Sequence, residues 1–149
     1  MKQLHKTTGL LLVALFCLLV LAACSEPIPK GIDESAIKSE AQSIMELLHQ
    51  RDYAAVRTAL RQDIQDESDP AVWPAVYDQR LDRLGDFESY KNVKATAKKL
   101  DGGENTFVVV ELDTRYQNGE GIYQVIFDDQ GTVVGLRFTK EVKLSISLG

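Results

Sequence analysis

The chain has 149 residues, of which 17 are basic and 22 are acidic, and its net charge is −5. A chain of this length predicts a single domain. The acidic balance argues against nucleic acid as a partner, because a nucleic-acid-binding domain favours a basic face. It also argues against adsorption to anionic lipid headgroups. With two cysteines in all, the sequence cannot form the disulfide framework of a small secreted scaffold.

The N-terminal segment has the pattern of a secretory signal. Residues 1–9 carry Lys2 and Lys6 and no acidic residue, and an uncharged apolar run occupies residues 10–23. A positive segment followed by a short apolar segment is typical of such signals. The apolar run has 14 residues, whereas a membrane-spanning helix needs about 20. The segment is therefore interpreted as a signal peptide and not as a permanent membrane span.

The end of this signal is Leu21-Ala22-Ala23-Cys24, which resembles the lipobox of bacterial lipoproteins. In that family a diacylglyceryl group is attached to the cysteine sulfur and a peptidase then cuts directly before the cysteine. The resemblance implies cleavage between Ala23 and Cys24, an S-diacylglyceryl Cys24 that can also be N-acylated, and a domain anchored by lipid on the extracytoplasmic side of the cell membrane. Two acyl chains make such an anchor stable. The open alternative is an ordinary secretory signal with a free cysteine.

Removal of the signal leaves an acidic chain without a second cysteine. Without Lys2 and Lys6, residues 24–149 contain 15 basic and 22 acidic residues, a net charge of −7. Residues 24–33 include two prolines and a glycine and show no apolar periodicity, which predicts a lipidated tether. Residues 34–149 are predicted to form the single domain.

Three helices are predicted at the start of this domain. The second covers residues 53–61, and the third has an apolar stripe over residues 73–84 and ends at Gly85, a residue type that favours helix C termini. An acidic loop over residues 63–69 is predicted between them. The apolar residues of the first helix recur at helical spacing and are Ile37, Ala41, Ile44, Met45 and Leu48.

After Gly85 the apolar period changes to two, which predicts antiparallel strands. Asn118-Gly119 predicts a hairpin turn, and Gly131 predicts a bulged turn before the last strand. Residues 139–149 are either an added edge strand or a frayed end. Helices first and strands after predict an α+β fold with three N-terminal helices packed on a curved antiparallel sheet of about four strands. The predicted strands are 87–100, 106–116, 122–127 and 132–138.

Three segments carry a family resemblance. They are Gly85-Asp86-Phe87, Arg51-Asp52-Tyr53 and the run IFDDQGTVVGL at residues 126–136. Together they resemble a small family of unknown function, found as Gram-positive lipoproteins or ahead of α/β-hydrolase domains. The resemblance covers residues 34–139 and implies a fold similar to the cystatin-like, nuclear transport factor 2-like cone. It implies no catalytic residue, and the hydrolase partner is absent from this chain.

Few residues offer chemistry. His49 is the single histidine outside the signal, and at a helix end it is interpreted as a cation that favours the helix dipole. One histidine and no cysteine beyond Cys24 argue against a structural zinc site. The acidic loop has oxygen ligands that suit Ca²⁺, but it lacks the spacing and glycine of an EF-hand, so it is interpreted as a solvated loop. No metal and no cofactor are predicted.

Two sets of residues remain as candidate sites. Glu111, Asp113 and Arg115 share one face of the second strand, and a carboxylate inside a cone cavity can act as a base. Alternation instead places these side chains opposite the apolar residues, towards water. The second set is aromatic and is predicted either to line a pocket for a small apolar or planar ligand or to fill the core. Its members are Tyr53, Trp73, Tyr77, Tyr116 and Tyr123.

Three functions follow from these patterns. The preferred one is a non-enzymatic, lipid-anchored binding or interaction module for an envelope protein or a small apolar ligand. The alternatives are a cone-fold enzyme that uses Glu111 or Asp113, and a structural accessory of an envelope complex. A buried carboxylate in a pocket would favour the enzyme, and an exposed apolar patch without a pocket would favour the accessory.

Overall fold

Helices come first and a sheet follows in the computed structural model, which describes residues 26–99 and 105–143 and, for residues 141–143, the backbone alone. The four strands form one antiparallel sheet in the order β1-β2-β3-β4. The prediction of an α+β fold with helices ahead of a four-stranded antiparallel sheet is confirmed. The elements are α1 Glu34–His49, α2 Tyr53–Ala59, α3 Gln62–Glu67, α4 Val72–Leu84, β1 Phe87–Lys99, β2 Thr106–Tyr116, β3 Gly119–Phe127 and β4 Val133–Lys143.

The predicted acidic loop is largely the short helix α3, so the described residues contain four helices and not three. Six residues are too few for a helix to be stable by itself, and tertiary hydrogen bonds hold this one. Gln65 Nε2 donates to the carbonyl of Leu60 at 2.6 Å, and the Arg57 guanidinium donates to the carbonyl of Gln65. The Arg61 guanidinium pairs with Asp63 at 2.7 Å. The helix depends on side chains outside it, which no periodicity within the segment reveals.

The helix α4 begins at Val72 and ends ahead of Gly85. Pro74 is the third residue of the helix, a position whose N–H has no partner within a helix, and it therefore costs no hydrogen bond. Gly85 has φ of +75°, and its N–H donates to the Leu81 carbonyl at 2.9 Å. The predicted helix terminus at Gly85 is confirmed.

The turn between β2 and β3 consists of Gln117 and Asn118, because Tyr116 pairs with Gly119. The predicted Asn118-Gly119 turn is therefore wrong by one residue. Neither Gln117 nor Asn118 has a positive φ, so the turn is not of the type I′ that Asn-Gly favours. Instead it is held from outside, since Gln117 N–H donates to the Asp86 carbonyl and Asn118 N–H to the Leu84 carbonyl, both at 2.9 Å.

The core lies between α1 and one face of the sheet. All five apolar residues predicted for the inner side of α1 are buried. On β2 the inward side chains alternate with outward ones, and Glu111, Asp113 and Arg115 lie on the outward face, as predicted. Two register shifts lie in the pairing of β1 with β2, and two more lie between β3 and β4. Such bulges bend the strands and increase the twist of the sheet around this core. The inward residues of β2 are Val108, Val110, Leu112, Thr114 and Tyr116.

The segment ahead of α1 lies against the domain. Glu26 forms a bridge with Ala97 of β1 and an ion pair with Lys99 at 3.4 Å, and Ile28 and Ile32 pack against the core. The predicted tether, residues 24–33, is thus in contact with the domain from Glu26 onward. Among the described residues no helix is long and apolar enough to cross a membrane.

Two sets of predictions lie outside the described residues. These are the signal with its lipobox and cleavage site at Ala23 and Cys24, and the last part of the C-terminal tail, residues 144–149. The earlier part of the tail, to Lys143, extends β4 as an edge strand.

Candidate functional site

The five aromatic residues predicted to line one pocket are divided among separate places. Trp73 and Tyr77 line a groove beside β4, Tyr116 lines a cavity at the end of α1, and Tyr53 lines a shallow third hollow. Tyr123 is fully buried in the core. The predicted pocket is therefore not a single site, and the two larger hollows are the candidates for function.

The first candidate, the Trp73 groove, runs between the N-terminal half of α4 and β4 and has a volume of about 490 Å³. The rings of Trp73 and Tyr77 stack with centroids 5.8 Å apart. Val72 and Val76 are 52% and 37% exposed and are the large apolar side chains that remain most open to solvent in the described ranges. Exposed apolar side chains next to a concave surface make the groove a candidate interaction site. Its lining is Glu67, Ser68, Asp69, Val72, Trp73, Val76, Tyr77 and Leu136.

Neighbouring contacts hold the floor of the groove. Tyr77 is 5% exposed, and its hydroxyl lies 3.5 Å from the carbonyl of Leu136. Burial raises the pKa of Tyr77 to about 12, so the ring presents a neutral hydroxyl. One turn further along α4, the Arg80 guanidinium lies over the Phe138 ring at 4.5 Å, which ties the helix to β4. These contacts hold Tyr77 and the neighbouring turn of α4 against β4.

The second candidate, the His49 cavity, has a volume of about 380 Å³ and lies at the other end of the sheet. His49 Nε2 is 2.7 Å from the Tyr116 hydroxyl, which donates to the Tyr123 hydroxyl at 3.1 Å. The Phe87 ring stacks on the imidazole with centroids 4.5 Å apart. The lining consists of His49, Arg51, Leu81, Asp82, Gly85, Asp86, Phe87 and Tyr116.

Burial lowers the pKa of His49 to about 4. The imidazole is therefore neutral near pH 7, and the interpretation of His49 as a cation at a helix end is wrong. His49 Nε2 and the Tyr116 hydroxyl share one hydrogen bond, and the imidazole tautomer decides which of them donates. Burial also raises the pKa of Tyr116 and of Tyr123, so the whole row stays uncharged.

A strained residue forms one wall of this cavity. Arg51 has φ of +59°, in the left-handed region that is costly for a residue with a side chain. Its guanidinium pairs with Asp78 at 3.2 Å and with Asp82 at 2.5 Å, and the Tyr53 hydroxyl donates to Asp78. Hydrogen bonding to Asp82 raises the pKa of Arg51. These contacts join the turn after α1 to α4 and fix the mouth of the cavity.

The sequence also matches a known family: residues 41–136 fit the model of a protein of unknown function, DUF3887. The chain belongs to the DUF3887 family. The predicted resemblance to a family of unknown function is thereby confirmed. The matched span begins within α1 and ends at Leu136 in β4. All lining residues of the Trp73 groove and of the His49 cavity lie within this span.

Solved structures contain a similar fold. The NMR structure of a protein from Ruminococcus gnavus ATCC 29149 has a TM-score of 0.63 and 18% sequence identity, over 76% of this chain and 96% of that chain. At this identity the likeness shows the fold alone. No curated protein matches the chain.

The carboxylates predicted as candidate bases are near neither hollow of the DUF3887 domain. Glu111 accepts a hydrogen bond from Gln124 Nε2 at 2.8 Å, and Gln124 Oε1 accepts from Arg137 at 2.6 Å. This row crosses the outer face of the sheet, on the side away from the helices. Within residues 26–99 and 105–143, no three His, Asp or Glu side chains are grouped as a metal site would require.

The chemistry of the two hollows differs. The His49 cavity has a neutral imidazole and charged walls, and an imidazole of pKa about 4 is a weak base near neutral pH. The Trp73 groove has an apolar floor and an acidic rim, Glu67 and Asp69. The groove is suited to binding an apolar surface. The sequence identified Trp73 and Tyr77 as candidate residues of the groove, but it did not identify His49 as a residue of the second cavity.

Proposed function

We propose that the chain is the precursor of a lipid-anchored, extracytoplasmic binding module that is not an enzyme and that has a cystatin-like, nuclear transport factor 2-like cone fold. The lipobox at Leu21-Ala22-Ala23-Cys24 supports the anchor. The apolar side chains of the Trp73 groove, among them the exposed Val72 and Val76, support a binding role. The observation that carries the proposal is the Trp73 groove, a preformed apolar hollow that solvent can enter.

The ligand of the groove is a small molecule with a planar, apolar part. The Trp73 ring offers a flat face for stacking, and Val72 and Val76 offer apolar area that a ligand would remove from water, at roughly 25 cal/mol per Å². The acidic rim at Glu67 and Asp69 disfavours an anionic ligand. Because the floor is already held by Tyr77 and Leu136, binding orders few side chains and loses little free energy to ordering.

The alternative of an enzyme using Glu111 or Asp113 loses support from their position on the outer face of the sheet. A structural accessory to an envelope complex would also use the Trp73 groove. The two differ in the occupant, because an accessory would bury the groove against a protein and would not bind a small molecule there.

The single tryptophan of the chain provides the test. Residues 25–149, prepared without lipid, are titrated with N-phenyl-1-naphthylamine, a neutral aromatic probe, and emission of Trp73 is followed. We expect saturable energy transfer with one probe per chain. Val76→Glu places a charge in the groove and should weaken binding by about tenfold or more, a loss of ~1.4 kcal/mol.

The matched control is Ala75→Glu, which puts the same charge on an exposed neighbouring position of α4 that does not line the groove. Its titration should follow that of the unmodified chain. Transfer that does not saturate, or that is the same for both glutamate variants, would show that the groove does not bind the probe.

A further inference from the structure

The connection between Cys24 and the domain is short. Only Ser25 separates Cys24 from Glu26, so the two Cα atoms are at most ~7 Å apart. Glu26 is bridged to Ala97 and paired with Lys99 at 3.4 Å. An exposed ion pair contributes little by itself, but Ile28 packs on the core only two residues later. Glu26, which lies within this distance of the proposed attachment point, is therefore held at one place on the domain surface.

From this geometry we infer that the domain stands on the bilayer in a fixed orientation, with the near end of the sheet facing the lipid. The near end is the row of paired residues Ala97, Val108 and Phe127 together with the turn after Phe127. The inference rests on the proposed lipidation of Cys24. Its partner surface is the bilayer into which the two acyl chains insert.

The strand register gives the height of each hollow above this end. On β2, which pairs with β3 without a register shift, Tyr116 is eight residues from Val108, or about 27 Å at 3.4 Å per residue. The His49 cavity, which Tyr116 lines, is thus far from the bilayer. Leu136 pairs with Val125, which pairs with Val110, only two residues or about 7 Å from the near row. The Trp73 groove therefore lies close to the bilayer surface.

Charge does not set this orientation. At the near end the Lys99 ammonium is paired with Glu26, and the Asp128 carboxylate is paired with Arg61 at 2.8 Å. The predicted mature chain has a net charge of −7, which gives no overall attraction to an anionic leaflet. The covalent link at Cys24 is therefore what holds the near end at the bilayer.

Fluorescence quenching from the lipid headgroups tests the orientation. The lipidated protein is reconstituted into vesicles that contain a lipid with a nitroxide on its headgroup. A fluorophore is attached to Gln130→Cys, in the exposed turn at the near end, or to Gln117→Cys, in the exposed turn at the far end. Because the Cys24 sulfur is blocked by its thioether, only the introduced thiol is labelled. We expect quenching several-fold stronger at position 130 than at position 117.

A linker variant provides the matched control. Insertion of about ten glycine and serine residues between Ser25 and Glu26 produces a flexible spacer, and it should remove most of the difference between the two positions. Equal quenching of both positions in the unmodified anchored protein would overturn the orientation alone. A protein that stays off the vesicles, with a Cys24 thiol that reacts with maleimide, would overturn the anchor and the orientation together.

Discussion

His49 shows how one side chain can be held neutral by its surroundings. Its imidazole is stacked on Phe87 and hydrogen bonded to Tyr116, and burial lowers its pKa from 6.5 to about 4. In the unfolded chain the same imidazole takes up a proton near pH 6.5. Between these values the unfolded state binds more protons than the folded state, so folding becomes weaker as the pH falls.

Stability is therefore expected to decrease as the pH is lowered from about 6.5 to about 4, and to gain nothing from His49 above that range. The slope due to His49 stays below the limit of ~1.4 kcal/mol per pH unit, because the ring is only partly buried. Urea unfolding at a series of pH values measures it.

The variant His49→Gln isolates this contribution, because it keeps a hydrogen-bonding side chain without a titrating group. The carboxyls of Asp63, Asp128 and Glu120 also have lowered pKa values, so the variant still loses stability in acid. Its loss between pH 6.5 and 4 should be smaller than that of the unmodified chain. Parallel curves for the two proteins would mean that His49 is not buried as described.

The sequence alone could not assign this role to His49. Its partner Tyr116 is 67 residues away, and Phe87 belongs to a different element, so no local pattern contains the pair. By contrast, the outward position of Glu111 and Asp113 followed from strand alternation, which is a property of neighbouring residues.

At the scale of elements, the turn between β3 and β4 is organised by Asp128. Its carboxylate accepts hydrogen bonds from the N–H groups of Gln130 at 3.0 Å and Thr132 at 2.9 Å, and from Arg61 at 2.8 Å. Burial raises the pKa of Asp128, but the hydrogen bonds from Thr132, Arg61 and Gln130 outweigh it and the pKa is lowered. The same carboxylate thus joins the last hairpin to the start of α3.

Asp128→Ala removes all three acceptor contacts and should lower the free energy of unfolding by about 2–3 kcal/mol, because it leaves the N–H groups of Gln130 and Thr132 without this acceptor and leaves Arg61 paired with Asp63 alone. Urea denaturation measures the loss. Asp129→Ala is the matched control, since Asp129 is exposed and its side chain accepts only a long contact from Gln130 at 3.4 Å. It should change stability by about 0.5 kcal/mol or less. Equal losses for the two variants would contradict the assigned role of Asp128.

Sequence patterns predicted the strands better than the connections. The bounds of β2 are those predicted from alternation, and α4 ends at Gly85 as its residue type indicated. The β2–β3 turn was displaced by one residue because Asp86 and Leu84 accept its N–H groups, which are contacts from a distant element. The helix α3 was missed because side-chain hydrogen bonds to Arg57 and Leu60, in the preceding segment, stabilise it, and apolar periodicity does not report such bonds.

At the scale of the whole molecule, the proposed function combines the Trp73 groove with the proposed lipid anchor. The predicted aromatic set identified two residues of the groove. Val76 was included in the apolar stripe predicted over residues 73–84, and its exposure was not predicted. Periodicity places side chains around a helix axis but does not indicate which neighbours cover them. Whether this face of α4 is covered depends on the position of β4, which the tertiary fold determines.

The proposed position of the domain at the membrane depends on lipidation of Cys24, and the mass of the N-terminal peptide is the most direct test. The protein is purified from the membrane fraction and its N-terminal peptide is analysed by mass spectrometry. We expect the chain to begin at Cys24 and to carry the added mass of a diacylglyceryl group. The variant Cys24→Ser should abolish both the modification and the cleavage before it. A chain released from the membrane with an unmodified Cys24 would contradict the anchored module proposed for this domain.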